Sequence, residues 1–171
     1  MVDVTIRAET IDDYNSVHQI LLAAFDGTGE ATLVDKLRDK GVDDISLVAQ
    51  NGGGHLVGHI MFSPVTLENH TDARILGLAP VAVMPDEQGK GHGGALIKAG
   101  IEEAQKMGVQ AIVLLGHAGY YPRFGFKPSI DYDISCEYDV PAENFMVLEL
   151  VDGALSNVSG CIQYHPVFAE L

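Results

Sequence analysis

The chain has 171 residues, 47% apolar and 20% charged, a length and balance that suit one globular domain with a packed core and weigh against large-scale disorder. Its 24 acidic and 10 basic residues give a net charge of −14, which weighs against non-specific nucleic-acid binding, because a duplex must be neutralised by Lys and Arg. No apolar run approaches the roughly 20 residues that span a bilayer, no secretory signal opens the chain, and Cys136 and Cys161 lack zinc-type spacing, so the expectation is a cytoplasmic protein with reduced thiols, no metal site and no membrane partner.

Val2 to Arg7 alternates apolar and polar residues and predicts a half-buried strand. Thr10 is an N-cap candidate, with Asp13 completing a variant of the capping box, and Tyr14, Val17, Ile20, Leu21 and Ala24 continue at helical spacing. Gly27 and Gly29 break that pattern. A second helix is expected from Glu30 to Lys40, with Leu33, Val34 and Leu37 inward and Gly41 as its stop. Ile45–Ala49 and His55–Phe62 flank a Gly52-Gly53-Gly54 turn and predict an antiparallel hairpin. Leu67 to Arg74 is polar and reads as a loop or hairpin tip. Arg74 to Met84 is too continuously apolar for a strand with one wet face; it predicts a central strand covered on both faces. Pro85-Asp86-Glu87 ends that strand. A glycine-rich loop follows, then an amphipathic helix from about Gly91 to Met107, with Ile97, Ile101 and Ala104 on one stripe. Gly108 ends the helix, and Ala111–Leu115 is a short apolar strand, completing a strand-loop-helix-strand unit. Gly119–Phe124 reads as a short helix. Further strands are expected near Tyr132–Glu137, Phe145–Leu150 and Gly160–Tyr164. No repeat or linker interrupts the chain, so residues 1–171 read as one mixed α/β domain.

The chemistry concentrates at Gln88-Gly89-Lys90-Gly91-His92-Gly93. Glycines let successive N–H groups face one point without obstruction by Cβ, and a helix start adds unpaired N–H groups and the positive end of its dipole. Together they form a cradle for a phosphate or diphosphate. This is not a Walker A loop, since no Gly-Lys-Ser/Thr follows. Gly89 to Gly94 does fit G-x-G-x-x-G, but it lies after several strands and no acidic residue ends the next strand to take a ribose hydroxyl. A glycine-rich helix start that binds nothing is the plain alternative.

The run Val81-Ala82-Val83-Met84-Pro85-Asp86-Glu87-Gln88-Gly89-Lys90-Gly91-His92-Gly93 resembles the central motif of the GNAT acetyltransferases, Gln/Arg-x-x-Gly-x-Gly/Ala directly after a strand ending in Val and Pro. Gln88, Gly91 and Gly93 occupy its fixed positions. Downstream, Tyr120-Tyr121-Pro122-Arg123-Phe124-Gly125-Phe126 resembles the family's Tyr-x-x-x-Gly-Phe element, in a form closest to the branch labelled YhbS-like. The resemblance is good from Ile45 to Phe126, fair before it and over the C-terminal strand, and loose at Asp131 to Asn144. It implies an α/β (α+β) fold with a central mixed, mostly antiparallel, twisted sheet and helices on both faces. It also implies an N-acetyltransferase that uses acetyl-CoA (coenzyme A) as cosubstrate and acetylates a primary amine by direct attack in a ternary complex. A homodimer is a family-level expectation.

Carried over residue by residue, the resemblance gives the backbone of Val81, Ala82 and Val83 to the pantetheine arm, with an N–H there polarising the thioester carbonyl. The N–H groups of Gln88, Gly89, Lys90, Gly91, His92 and Gly93 hold the diphosphate. Many relatives carry an Asn after the strand that ends near Leu115; this chain has Gly116-His117, so His117 is the candidate for that contact, or a simple strand cap. Tyr121 matches the family's general acid, with Tyr120 as rival and an ordinary core aromatic as the plain alternative. Glu30 is the first candidate for general base; a solvated helix-start carboxylate explains it equally well. His59 and His55 are weaker candidates, and a water chain is another. Cys136 and Cys161 lack a histidine partner and are poor nucleophiles. The acceptor is a small-molecule or peptide amine, and the acidic surface suits a cation or is merely well solvated. The competing readings are a non-catalytic CoA-binding regulatory module of the same fold and a phosphate-ligand protein of another fold.

Overall fold

The computed structural model describes residues 3–170. Val2, at the start of the first expected strand, lies outside the described residues. In chain order the elements are β1 (Val4–Ala8), α1 (Tyr14–Ala24), α2 (Gly29–Asp39), β2 (Ile45–Asn51), β3 (Leu56–Leu67), β4 (Ile75–Val83), α3 (His92–Lys106), β5 (Ala111–Leu115), β6 (Lys127–Pro128), β7 (Ile134–Cys136), β8 (Phe145–Glu149) and β9 (Gly160–Gln163). The strands pair in the order β1-β2-β3-β4-β5-β8-β6, with β9 on β3 and β7 on β9. The pairs β4–β5 and β7–β9 are parallel; β1–β2, β2–β3, β3–β9, β5–β8 and β6–β8 are antiparallel, so the sheet is mixed and mostly antiparallel as expected. Among the described residues no helix is long and apolar enough to cross a membrane.

Contacts gather the residues into two compact units. Among the described residues, the first holds those up to Ser63, then Ala79–Glu103, then the turn from Pro166. Here Asp13 accepts hydrogen bonds from the Thr10 backbone N–H (2.8 Å) and hydroxyl (3.2 Å), which fixes the entry to α1. At the end of α2, Val42 N–H reaches the Leu37 carbonyl and Gly41 N–H the Arg38 carbonyl, both at 3.0 Å, with Gly41 at φ 69. That left-handed stop satisfies the last carbonyls of the helix. β2 and β3 form the expected hairpin, registered from Ile45↔Phe62 to Gln50↔Leu56. α3 lies directly on β3: a Cβ on Gly100 would stand 2.3 Å from a ring carbon of Phe62, and one on Gly58 would stand 2.9 Å from Leu96. Phe62 is fully buried, which stabilises this contact by about 1.5–3 kcal/mol. The close approach fixes the start of α3, and the loop before it, over the sheet.

The second unit holds Pro64–Leu78 and Ala104–His165. β4 and β5 run in parallel from Ile75↔Ala111 to Gly77↔Val113, and β5 pairs with β8 along its whole length. Two differences from the expected elements have simple causes. β3 runs past Phe62 to Leu67 because it changes partner, from β2 to β9 at Thr66↔Gln163 and Leu67↔Ile162. Pro64, which has no N–H, falls between the two ladders. The strand expected near Tyr132–Glu137 is shortened to Ile134–Cys136 because Ser129–Tyr132 forms a 3-10 turn that ends on Asp133 at φ 58.

Candidate active site

β4 delivers the chain to the glycine loop, and a 3-10 turn at Pro85–Glu87 redirects it. Gly89 and Gly91 adopt φ 79 and 87, the left-handed region that side chains disfavour. The Gly91 carbonyl accepts the Ala95 N–H at 3.1 Å, so Gly91 caps α3, and Gly93 falls in its first turn. The N–H groups of that turn have no acceptor within the helix, and α3 is 15 residues long, so the cradle has both donors and dipole. This donor set fits a diphosphate. A carboxylate beside it, Glu87, is already engaged: its Oε2 lies 3.1 Å from Lys90 Nζ and 3.3 Å from His92 Nε2. Lys90, then His92, hold the Glu87 carboxyl below its ordinary range. The His92 ring is buried against Glu87, so what His92 offers a ligand is its backbone. Gln88 turns its side chain back to the strand and donates from Nε2 to the Val83 carbonyl at 3.0 Å. Ala82 is buried, while Val81 and Val83 are half-buried.

In the second unit, Tyr121 opens the 3-10 turn Tyr121–Phe124, which Gly125 ends at φ 97. Tyr120 and Tyr121 meet edge to face at 5.1 Å, and Phe126 packs on Tyr121 at 6.0 Å. Arg123 covers the Tyr120 ring at 4.5 Å and donates to its carbonyl at 2.8 Å, which ties Tyr120 down. Burial, and then the neighbouring Tyr120, push the Tyr121 phenol above its ordinary value, so it keeps its proton at neutral pH. The departure at Gly116 also finds its reason here. A Cβ at 116 would stand 2.3 Å from Tyr121 Cε2 and 2.8 Å from Cδ2, so the Tyr121 ring fills the space of the missing side chain. His117 is exposed, and its carbonyl accepts the Tyr120 N–H at 3.1 Å; it shapes the turn through its backbone.

Glu30 is the second residue of α2, half-buried in the first turn, and among the described residues no hydrogen bond or ion pair ties it to the glycine loop. His55 is exposed and precedes β3 rather than lying on it. His59 is fully buried in a polar cluster that the sequence did not reveal. Arg38 pairs with Glu9, the Ser46 hydroxyl donates to Glu9 Oε2 at 2.8 Å, and His59 Nε2 lies 2.8 Å from Ser46 Oγ. One hydroxyl proton serves one acceptor, so Nε2–H of His59 is the donor to Ser46. Burial, and then the Arg38 charge, lower the His59 pKa to about 3, which rules out a useful base. Cys136 and Cys161 are free and half-buried, and burial pushes the Cys136 thiol up. Among the described residues no His, Cys, Asp and Glu group could hold a metal ion.

Residues 5–129 match the family described as Acetyltransferase (GNAT) domain. The chain belongs to the GNAT acetyltransferases. The N-acetyltransferase YhbS of Escherichia coli K12 is 34% identical over 163 residues, 95% of this chain and 97% of that protein. The crystal structure of YhbS in complex with CoA superposes with a TM-score of 0.94 at 32% identity, covering 99% of this chain and 93% of that one. A GNAT acetyltransferase from Brucella melitensis in complex with acetyl-CoA gives a TM-score of 0.80 at 34% identity, over 96% of this chain and 97% of its own. This GNAT chain is therefore an acyl-CoA-dependent N-acyltransferase by family.

Proposed function

We propose that residues 1–171 act as one N-acetyltransferase domain that passes the acetyl group of acetyl-CoA to a primary amine, by direct attack with both substrates bound. The observation that carries this reading is the pair of left-handed glycines, Gly89 and Gly91, between β4 and the 15-residue α3. Two relatives of about a third identity, crystallised with CoA and with acetyl-CoA, support it. Backbone N–H groups from Gln88 to Gly93 bind the diphosphate, and the backbone of Val81, Ala82 and Val83 takes the pantetheine arm. The coenzyme supplies an acetyl group already activated as a thioester. Tyr121 holds the proton that the departing sulfur needs, and its raised pKa keeps that proton in place until then. Tyr120 supports it through the edge-to-face contact. An alkyl amine with a pKa of about 10.4 must lose a proton before it attacks, and Glu30, directly or through water, accepts it. A net charge of −14 favours a cationic acceptor, a small molecule or a peptide amine.

Release of free CoA thiol from acetyl-CoA over a panel of small amines and peptides tests the reading. The wild type is expected to release thiol with at least one amine, well above Tyr121→Phe. Equal release by both proteins across the panel sinks the catalytic assignment.

A further inference from the structure

A carboxylate beside an anion cradle repels the ligand the cradle is built for. Glu87 is such a carboxylate, and its surroundings supply a reason for it. One oxygen, Oε2, receives both Lys90 Nζ at 3.1 Å and His92 Nε2 at 3.3 Å. Lys90 sits on the loop and His92 is the first residue of α3, so the two partners stand on either side of Gly91, whose φ is 87. A carboxylate only accepts, so Nε2 of His92 carries the proton. Its Nδ1 is buried without a protein partner. The ring is 6% exposed and spends its polar edge on Glu87. On the other side, Gln88 Nε2 is fastened to the Val83 carbonyl. A segment with glycine at 89, 91 and 93 samples many conformations unless something holds it, and a ligand that must order it binds more weakly.

Building on the coenzyme reading above, we propose that Glu87 is a positioning residue for the coenzyme: by holding Lys90 and His92 on either side of Gly91, it keeps the glycine loop in its anion-facing shape before the diphosphate arrives. Lys90 offsets the Glu87 charge at the same time, so the brace adds order without a strong repulsive field. His92 contributes its backbone to the ligand and its side chain to the brace.

Calorimetry with CoA, and ligand-observed NMR with pantetheine, which lacks the diphosphate, test this on wild type, Glu87→Ala, Glu87→Gln, His92→Ala and the Glu87→Ala/His92→Ala double variant. Glu87→Ala is expected to weaken CoA about tenfold and to leave pantetheine unchanged, because lost preorganisation falls on the diphosphate alone. Glu87→Gln still accepts from His92 Nε2–H and is expected to recover most of the affinity. The double variant is expected to bind no worse than the weaker single, as members of one coupled unit do. Unchanged or tighter CoA binding by Glu87→Ala overturns the proposal, as does an equal loss of both ligands, which marks general damage to the fold. A wild type that binds no CoA overturns the coenzyme reading itself, whereas CoA binding that is indifferent to Glu87 overturns the brace alone.

Discussion

Glu9 and Glu87 are both carboxylates set between a basic side chain and a histidine in the first compact unit, yet the Glu9 side chain is 3% exposed and that of Glu87 is 26% exposed. The partners follow suit: Arg38 is 7% exposed and Lys90 is 55% exposed. In the Glu9 cluster every charge has been taken from water and depends on the others for compensation. Ser46 and His59 complete it, and it ties α2 to β2 and β3. In the Glu87 cluster the His92 ring is buried, but Lys90 lies in water and the Glu87 carboxylate reaches it, and such a part-exposed pair adds little stability. Its value lies in the shape of the loop. The same residue types therefore serve architecture where the ion pair is buried and, in the proposal above, loop shape where it is part-exposed.

Removing Arg38 is the most severe way to break that comparison. Arg38→Ala leaves the Glu9 carboxylate buried and unpaired, and the expected loss is about 3–5 kcal/mol in urea unfolding. Glu87→Ala is expected to leave the unfolding midpoint where it is. Equal midpoints for the two variants contradict the division between a buried and a wet cluster. Next in size is Gly116→Ala, which sharpens the picture at Tyr121. The new Cβ displaces the ring, so kcat is expected to fall by about a hundredfold, as it does when a general acid is lost, and Gly116→Ala/Tyr121→Phe is expected to match Tyr121→Phe alone. A multiplicative loss in the double variant means that Gly116 does not act through Tyr121. A smaller effect is expected at Gly91. Valine there must adopt φ 87, which costs about 1–2 kcal/mol, so Gly91→Val is expected to weaken CoA by about tenfold or more in calorimetry. Full affinity in a folded Gly91→Val protein removes the loop from the binding site.

These contrasts also show what the amino-acid sequence discloses. The loop and α3 are legible because glycine punctuation and a 3.6-residue stripe are local signals. The β2–β3 hairpin is legible from Gly52-Gly53-Gly54 for the same reason. The far half of β3 is not, since Pro64 reads as a breaker and the partner that licenses the extension, β9, lies almost a hundred residues on. β6 has two residues and no period to detect. Within the site, Gln88 to Gly93 can be found from residue types alone. The Glu87–His92 contact cannot, because a separation of five residues matches neither helix nor strand spacing. Gly116 looks like a loss of a contact until the turn at Tyr121–Phe124 brings the ring onto it. His59 stands on β3 as a plausible base, and only the folding of α2, which brings Arg38 over Glu9, shows that it is a buried donor.

That buried histidine yields the finest test of the comparison, through pH. His59 has its pKa lowered from 6.5 to about 3, chiefly by burial and then by the Arg38 charge. Between those values the unfolded chain binds a proton that the folded chain refuses. Stability from this group is therefore complete above about pH 6.5 and is lost as pH falls toward 3. Asp13, lowered from 3.8 to about 2 chiefly by its Arg7 bond, and Glu87 and Glu170, lowered from 4.5, add their losses at lower pH, so between pH 6.5 and 4.5 the difference from a variant that cannot titrate at 59 reports His59. His59→Gln keeps an amide donor for Ser46 and does not titrate. The urea midpoint of the wild type is expected to fall over this range while that of His59→Gln falls less. Parallel slopes would mean that the Glu9 cluster admits the proton after all, by opening to water, and the contrast with the Glu87 cluster would no longer rest on burial.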